Sequence, residues 1–156
     1  MKSKIIKVKT KSKNYEVHIG TNLIPKLKNI LKKNKLLFSK CLIVIDSKIP
    51  KKFRTLLLRN LKDQKIFTLN FNANEKNKSY LSIDKIHNVL FKNNFYREDC
   101  IISFGGGITG DVVGYAASTY KRGIKFINIP STLLAQVDSS IGGKTCLLYT
   151  SDAADD

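Results

Sequence analysis

Two apolar runs constrain the fold of this chain more than any other feature. They are Cys41-Leu-Ile-Val-Ile45, closed by Asp46, and Cys100-Ile-Ile-Ser-Phe104, closed by glycine. A strand with one wet face alternates apolar and polar residues; a nearly continuous apolar run needs cover on both faces, the condition of a strand inside a parallel sheet. The intervening segments supply that cover. Pro50 opens a helix carrying Phe53, Leu56, Leu57 and Leu61, and Ser79 opens a longer one through Ile83, Ile86, Val89, Leu90 and about Phe95. Lys65–Leu69 and Phe126–Ile129 read as further strands, Asp111–Ser118 as a small-residue helix, and Pro130-Ser131-Thr132 as the start of a helical turn. Upstream, Ile5–Val8 and Tyr15–Ile19 alternate around Lys11-Ser12-Lys13-Asn14 and predict a hairpin, and Thr21 precedes a helix bearing Leu23, Ile24, Leu27, Ile30 and Leu31. The expected class is α/β: a Rossmann-like, open, mostly parallel sheet with an N-terminal hairpin.

Between the strand at 100–104 and the helix from 111 lies Gly105-Gly106-Gly107-Ile108-Thr109-Gly110-Asp111. Glycines at 105, 107 and 110 match Gly-x-Gly-x-x-Gly in the strand-before, helix-after context that a dinucleotide site requires. Such glycines let the backbone approach a pyrophosphate, and the helix N-terminus adds unpaired amides and a positive dipole end. Asp111 is positioned to cap that helix or to hold a ribose or nicotinamide-side group. The plain alternative is a glycine turn that permits tight strand–helix packing. The acidic residue usually found some 20 positions on is missing, since that stretch reads Phe126-Ile-Asn-Ile-Pro130. Asp46, ending an earlier strand, can take that role on an adenosine ribose; its alternative reading is a strand-end turn former.

Further polar groups cluster downstream. Thr119-Tyr120-Lys121-Arg122-Gly123 sets two cations on a loop, and Ser131-Thr132 place hydroxyls at a helix start. Gln136-Val-Asp-Ser-Ser-Ile-Gly-Gly-Lys-Thr145 then gathers a carboxylate, hydroxyls, glycines and a lysine. Its Gly-Gly-Lys-Thr is not a P-loop, because that spacing needs glycine where Asp138 stands and a simple strand before it.

The net charge of +16 raises a basic nucleic-acid-binding module as a rival. Only Arg54, Arg59, Arg97 and Arg122 among the 28 basic residues are arginine, and the lysines spread from Lys2 to Lys144 without one block. Lys, Asn and Ile share A/T-rich codons, so genome composition accounts for the bias, and base readers favour arginine and aromatic platforms. No nucleic-acid partner is expected. No apolar run is long enough to span a membrane, and the N-terminus lacks a secretory pattern. Cys41, Cys100 and Cys146 form no Cys-x-x-Cys pair, so a reducing cytoplasm is the expected setting.

Taken together, Gly105–Asp111, Tyr120-Lys-Arg-Gly123 and Ile129-Pro-Ser-Thr-Leu-Leu-Ala-Gln-Val-Asp-Ser-Ser-Ile-Gly-Gly-Lys-Thr145 resemble the 3-dehydroquinate synthases, which are sugar phosphate cyclases and distant relatives of the glycerol dehydrogenases. The resemblance is tight from residue 99 and looser before. It implies NAD-dependent cyclisation of a seven-carbon keto-acid phosphate to 3-dehydroquinate with loss of phosphate, a step of the shikimate pathway. Carried over by position, it places Gly106, Gly107, Ile108, Thr109, Gly110 and Asp111 against the pyrophosphate and nicotinamide parts of NAD. Ser131 (where the family has threonine), Thr132, Leu134 and Lys144 would also bind NAD. An upstream Gly-Glu-x-x-Lys element becomes Asn74-Glu75-Lys76-Asn77-Lys78, with Glu75 and Lys78 retained, and Asp46 matches an adenosine-binding acid. Arg122, Asp138 and Lys144 match substrate-site positions and are the expected catalytic set. Another cyclase using the same half-site is the nearest alternative.

The resemblance also implies a divalent metal, zinc or cobalt, held by a glutamate and two histidines beyond Lys144; those positions and the helical second domain are absent from this chain. His18 and His87 are expected to be structural or exposed. The expected organisation is an NAD-binding unit over 1–145, followed at 146–156 by Cys-Leu-Leu-Tyr-Thr-Ser-Asp-Ala-Ala-Asp-Asp, which resembles one reading frame of a sequencing adapter rather than native protein. Homodimerisation is the family habit, and the 156-residue chain is expected to have no synthase activity alone.

Overall fold

A computed structural model of the chain describes residues 3–9 and 14–138. Strands β1 (Lys4–Lys9) and β2 (Asn14–Ile19) form an antiparallel hairpin that is a separate two-stranded sheet. The remaining strands are β3 (Lys40–Asp46), β4 (Lys65–Phe71), β5 (Cys100–Gly105) and β6 (Lys125–Pro130). They run parallel in the order β4-β3-β5-β6. The helices are α1 (Leu27–Lys33), α2 (Lys51–Asn60), α3 (Tyr80–Lys92), α4 (Gly107–Thr119) and the short α5 (Leu133–Val137). No helix among the described residues is long and apolar enough to cross a membrane.

The two apolar runs become the centre of the sheet, as their composition requires. Successive side chains of a strand leave opposite faces, so Cys41, Ile43 and Ile45 join Cys100, Ile102 and Phe104 under Leu27 and Leu31 of α1, Leu57 of α2 and Leu61 at the C-cap of α2. Leu42, Val44 and Ile101 face the other way, beneath Ile83, Ile86 and Leu90 of α3 and Val112, Val113 and Ala116 of α4. The result is a three-layer Rossmann-like domain with a core on each side of the sheet.

Two element boundaries differ from the sequence expectation. The first helix is delayed: Ile24–Lys26 is a 3-10 turn containing Pro25, capped by Leu23 rather than Thr21, and α1 starts only at Leu27. Proline lacks the amide that would extend a helix backward. α4 begins at Gly107, four residues ahead of the expected Asp111. The glycine segment is thus less a loop than a strand end, a cap and a first helical turn, and Asp111, inside the helix, does not cap it.

Strand order places the ligand edge. The chain leaves β3 for β4 through α2 on one face and leaves β5 for β6 through α4 on the other, so the order reverses between β3 and β5. Open α/β sheets bind ligands beyond the carboxyl ends of strands at such a switch point. Here those ends are Asp46 and Gly105.

Candidate dinucleotide site at the switch point

Asp46 and Gly105 end adjacent strands, and the fit between them is close. A Cβ on Gly105 would sit 2.5 Å from Thr109 Oγ1 and 2.9 Å from Asp46 Cβ. Gly106, in extended conformation, is the N-cap of α4; a Cβ there would meet Thr132 Cγ2 at 3.2 Å. Gly110 brings α4 against β6, with Asn128 Nδ2 3.3 Å from the position of an added Cβ. The glycines thus permit tight strand–helix packing, and they keep side chains off the edge where backbone amides emerge.

No side chain caps the N-terminus of α4, and the first bond that closes the helix runs from the Gly110 amide to the Gly106 carbonyl at 3.0 Å. The amides before it point to the sheet edge at the positive end of a 13-residue helix. Opposite them the Ser131 amide donates to the Gly105 carbonyl at 2.8 Å, which locks the start of the next connection to the glycine turn. Thr132 caps α5, its hydroxyl accepting from the Ala135 amide at 3.2 Å. Ser131, Thr132 and Leu134 are exposed around this edge. Thr109 is fully buried, and its hydroxyl finds no partner among the described residues. This uncapped, side-chain-free cradle suits a pyrophosphate, so the residues present fit a dinucleotide.

Asp46 is 6% exposed. Its Oδ1 accepts from the Lys48 amide at 3.0 Å, the geometry of a turn former, while its Oδ2 has no partner among the described residues. Arg54 holds this turn in place. Its Nε donates to the Ile49 carbonyl at 2.8 Å, its two terminal nitrogens reach the carbonyls of Asp46 (3.0 Å) and Ser47 (2.8 Å) and the Asn70 amide oxygen (3.0 Å). Sequence reasoning assigned Arg54 no role. Its signal was an arginine in a lysine-dominated chain, since only a guanidinium serves so many acceptors at once.

Lys78 and Asp111 meet as an ion pair at 2.9 Å, with side chains 5% and 13% exposed. Nothing in their spacing along the chain pairs them. Glu75 begins a 3-10 turn at Glu75–Asn77 and is exposed, and Asn74 replaces the family glycine by capping that turn, its side-chain oxygen accepting from the Asn77 amide at 2.9 Å. Asn74 does so in extended conformation, so no left-handed residue is needed there.

The substrate-site candidates are not brought together. Asp138 is exposed at the end of α5, on the carboxyl side of the sheet. Arg122 precedes β6 and so lies at the amino edge, a full strand length away from Gly105 and Pro130. Lys144, Cys146 and the 146–156 tail lie outside the described residues. No group of three His, Cys, Asp or Glu side chains able to hold a metal occurs among the described residues. His18 Nε2 pairs with Glu16 at 3.0 Å, and His87 Nε2 with the Ala116 carbonyl at 3.0 Å.

A model of the N-terminal part of 3-dehydroquinate synthase matches residues 68–152. The 3-dehydroquinate synthase of Pelagibacter ubique (strain HTCC1062) is 53% identical over 140 residues, covering 90% of this chain and 38% of that protein. That of Helicobacter pylori (strain 26695) is 41% identical over the same coverage of both chains. The chain thus spans about two fifths of the length of these curated relatives. Among solved structures, a 2-deoxy-scyllo-inosose synthase superposes with TM-score 0.84 over 95% of this chain and 42% of its own, at 23% identity, and so speaks for the fold. The 2-epi-5-epi-valiolone synthase ValA from Streptomyces hygroscopicus subsp. jinggangensis 5008, solved with NAD+ and Zn2+, is 28% identical over 67% of this chain and 30% of its own, with TM-score 0.62. On the family match and the identity to these relatives, the chain belongs to the 3-dehydroquinate synthase family.

Proposed function

We propose that residues 1–145 form the NAD-binding half of a 3-dehydroquinate synthase, which cyclises a seven-carbon keto-acid phosphate to 3-dehydroquinate with release of phosphate. The observation that carries this reading is the convergence, at the switch point, of the uncapped α4 N-terminus, the Gly105–Gly106 cradle, Asp46 and Thr132. NAD bound there supplies reversible hydride acceptance from a substrate hydroxyl. The chain's own residues bind and orient. Backbone amides from Gly106 to Thr109 neutralise the pyrophosphate, the free Oδ2 of Asp46 accepts from a ribose hydroxyl, and Ser131, Thr132 and Leu134 line the approach. Glu75 and Lys78 border the nucleotide, and Asp111 and Gly110 lie under its nicotinamide side.

Asp138 and Lys144 would address the substrate, with a divalent metal held by residues that relatives carry beyond this length. Arg122, at the opposite edge of its own sheet, is available to the site of a second copy, which accords with a homodimer. The setting is a cytoplasmic biosynthetic enzyme, and residues 146–156 are read as non-native.

Calorimetric titration of NAD into the 156-residue chain tests this. Saturable binding that Gly106→Val abolishes is expected, together with no phosphate release from substrate. Absence of NAD binding combined with tight, salt-sensitive DNA binding would overturn the reading in favour of a basic nucleic-acid-binding module.

A further inference from the structure

The turn after α4 is built in an unfavourable conformation that its side chains must justify. Lys121 (φ 46) and Arg122 (φ 66) are consecutive left-handed residues, followed by Gly123 (φ 108). Side chains rarely adopt this region, and glycine is the default there. Helix closure needs the turn: the Gly123 amide donates to the Tyr120 carbonyl at 2.8 Å and the Ile124 amide to the Ala117 carbonyl at 3.0 Å. Closure alone does not need lysine and arginine at 121 and 122.

The two side chains are used differently. Lys121 Nζ donates to the Phe95 carbonyl at 2.8 Å and lies 4.5 Å from the centre of the Tyr96 ring and 5.5 Å from that of Tyr120. The same Phe95 carbonyl accepts from the buried Tyr120 hydroxyl at 2.9 Å. Two consecutive residues just after α4 are thus fastened to one atom of the chain segment after α3. Arg122, by contrast, is exposed and has no hydrogen bond, ion pair or ring contact among the described residues. Strained non-glycine backbone that surrounding contacts hold in place is a recurrent property of functional positions.

We propose that Lys121 is a positioning residue, whose ammonium, fastened to the Phe95 carbonyl and seated against Tyr96, holds residues 121–122 left-handed and so presents the Arg122 guanidinium outward in a fixed direction. The group it meets is an anionic group of the substrate, for which a planar guanidinium offers two parallel donors. This rests on the reading of Arg122 as a substrate residue.

The test uses a full-length protein carrying this segment. Lys121→Gly removes the backbone cost of a left-handed residue at 121, so the fold tolerates it, but it also removes the anchor, so nothing holds the direction in which Arg122 leaves the turn. It is expected to leave Tm within about 2 °C and the Kd for NAD unchanged, while raising KM for the phosphate substrate at least fivefold. Lys121→Arg, which restores a cation over Tyr96, is expected to recover most of that loss, and Lys121→Met to resemble Lys121→Gly. A KM unchanged in Lys121→Gly, or raised only in proportion to a fall in Tm, would overturn the proposal. Arg122→Ala separates the two layers. If Arg122→Ala raises KM and Lys121→Gly does not, the positioning role fails alone; if Arg122→Ala leaves KM unchanged, the reading of Arg122 fails and this inference with it.

Discussion

A methyl group at position 105 would penetrate both Thr109 and the base of Asp46. Neither neighbour is the free end of a long side chain: Thr109 is fully buried, and Asp46 is fixed by its own turn and by Arg54 at its carbonyl. Gly105→Ala is therefore expected to cost about 1–3 kcal/mol, the range for overpacking a closed site, as a fall in the urea midpoint. Gly110→Ala, facing the Asn128 amide at 3.3 Å, should lie at the low end of that range; equal costs would contradict the packing argument. Glycine spacing was legible in the sequence, but its division of labour was not. Which glycine is needed for packing and which for ligand approach depends on what lies across from each, and that is a fact of the fold. The same holds for Asp46. Its position at a strand end was readable, whereas the Arg54 clamp joins residues whose proximity the sequence does not encode.

The thiols give a second prediction at this scale. Cys41 and Cys100 are directly paired across β3 and β5 and fully buried. Burial, with the neighbouring Asp99 charge, pushes the Cys41 thiol up to about 12. Burial, followed by Cys41 itself, also pushes the Cys100 thiol well up. An unfolded thiol ionises near pH 8.5. Between about pH 8.5 and 12 the unfolded chain therefore holds fewer protons than the folded one, and stability falls as pH rises, by up to ~1.4 kcal/mol per pH unit per thiol. Denaturant midpoints from pH 7 to 10 should decline above about 8.5, and a Cys41→Ala variant should decline less steeply.

At the scale of elements, most of the architecture was readable because burial on two faces leaves a plain mark on composition. The central strands and the sequence of helices follow from it. The helix starts were harder to read. α4 begins inside a glycine run, with no capping side chain to mark its start. Its junction with the Glu75–Asn77 turn was invisible, since Lys78 and Asp111 are 33 positions apart. That pair is buried enough that removing either partner takes a close counter-charge from the other in a poorly solvated place. Lys78→Met and Asp111→Asn should each destabilise by on the order of 3 kcal/mol. The double variant should lose clearly less than the sum in a double-mutant cycle read by urea unfolding. An additive cycle would mean that each residue acts through other contacts.

For the molecule as a whole, charge and apolar exposure oppose each other. The +16 charge holds copies apart through unscreened repulsion. Yet Leu133, Leu134 and Val137 of α5 are 76%, 71% and 65% exposed, and Phe126 on β6 is 38% exposed. Exposed apolar surface of this kind next to a sheet strand is the ordinary source of self-association. Which force prevails is set by salt, because the screening length falls from about 10 Å at 0.1 M to about 3 Å at 1 M. The 156-residue chain is expected to be dispersed at low salt and to associate as salt rises, followed by light scattering. Leu133→Ser with Val137→Ser, which spares Leu134, proposed above to line the nucleotide approach, should move the onset to higher salt. If electrostatic attraction to an acidic contaminant drove association instead, added salt would disperse the particles and the serine variants would behave like the parent chain.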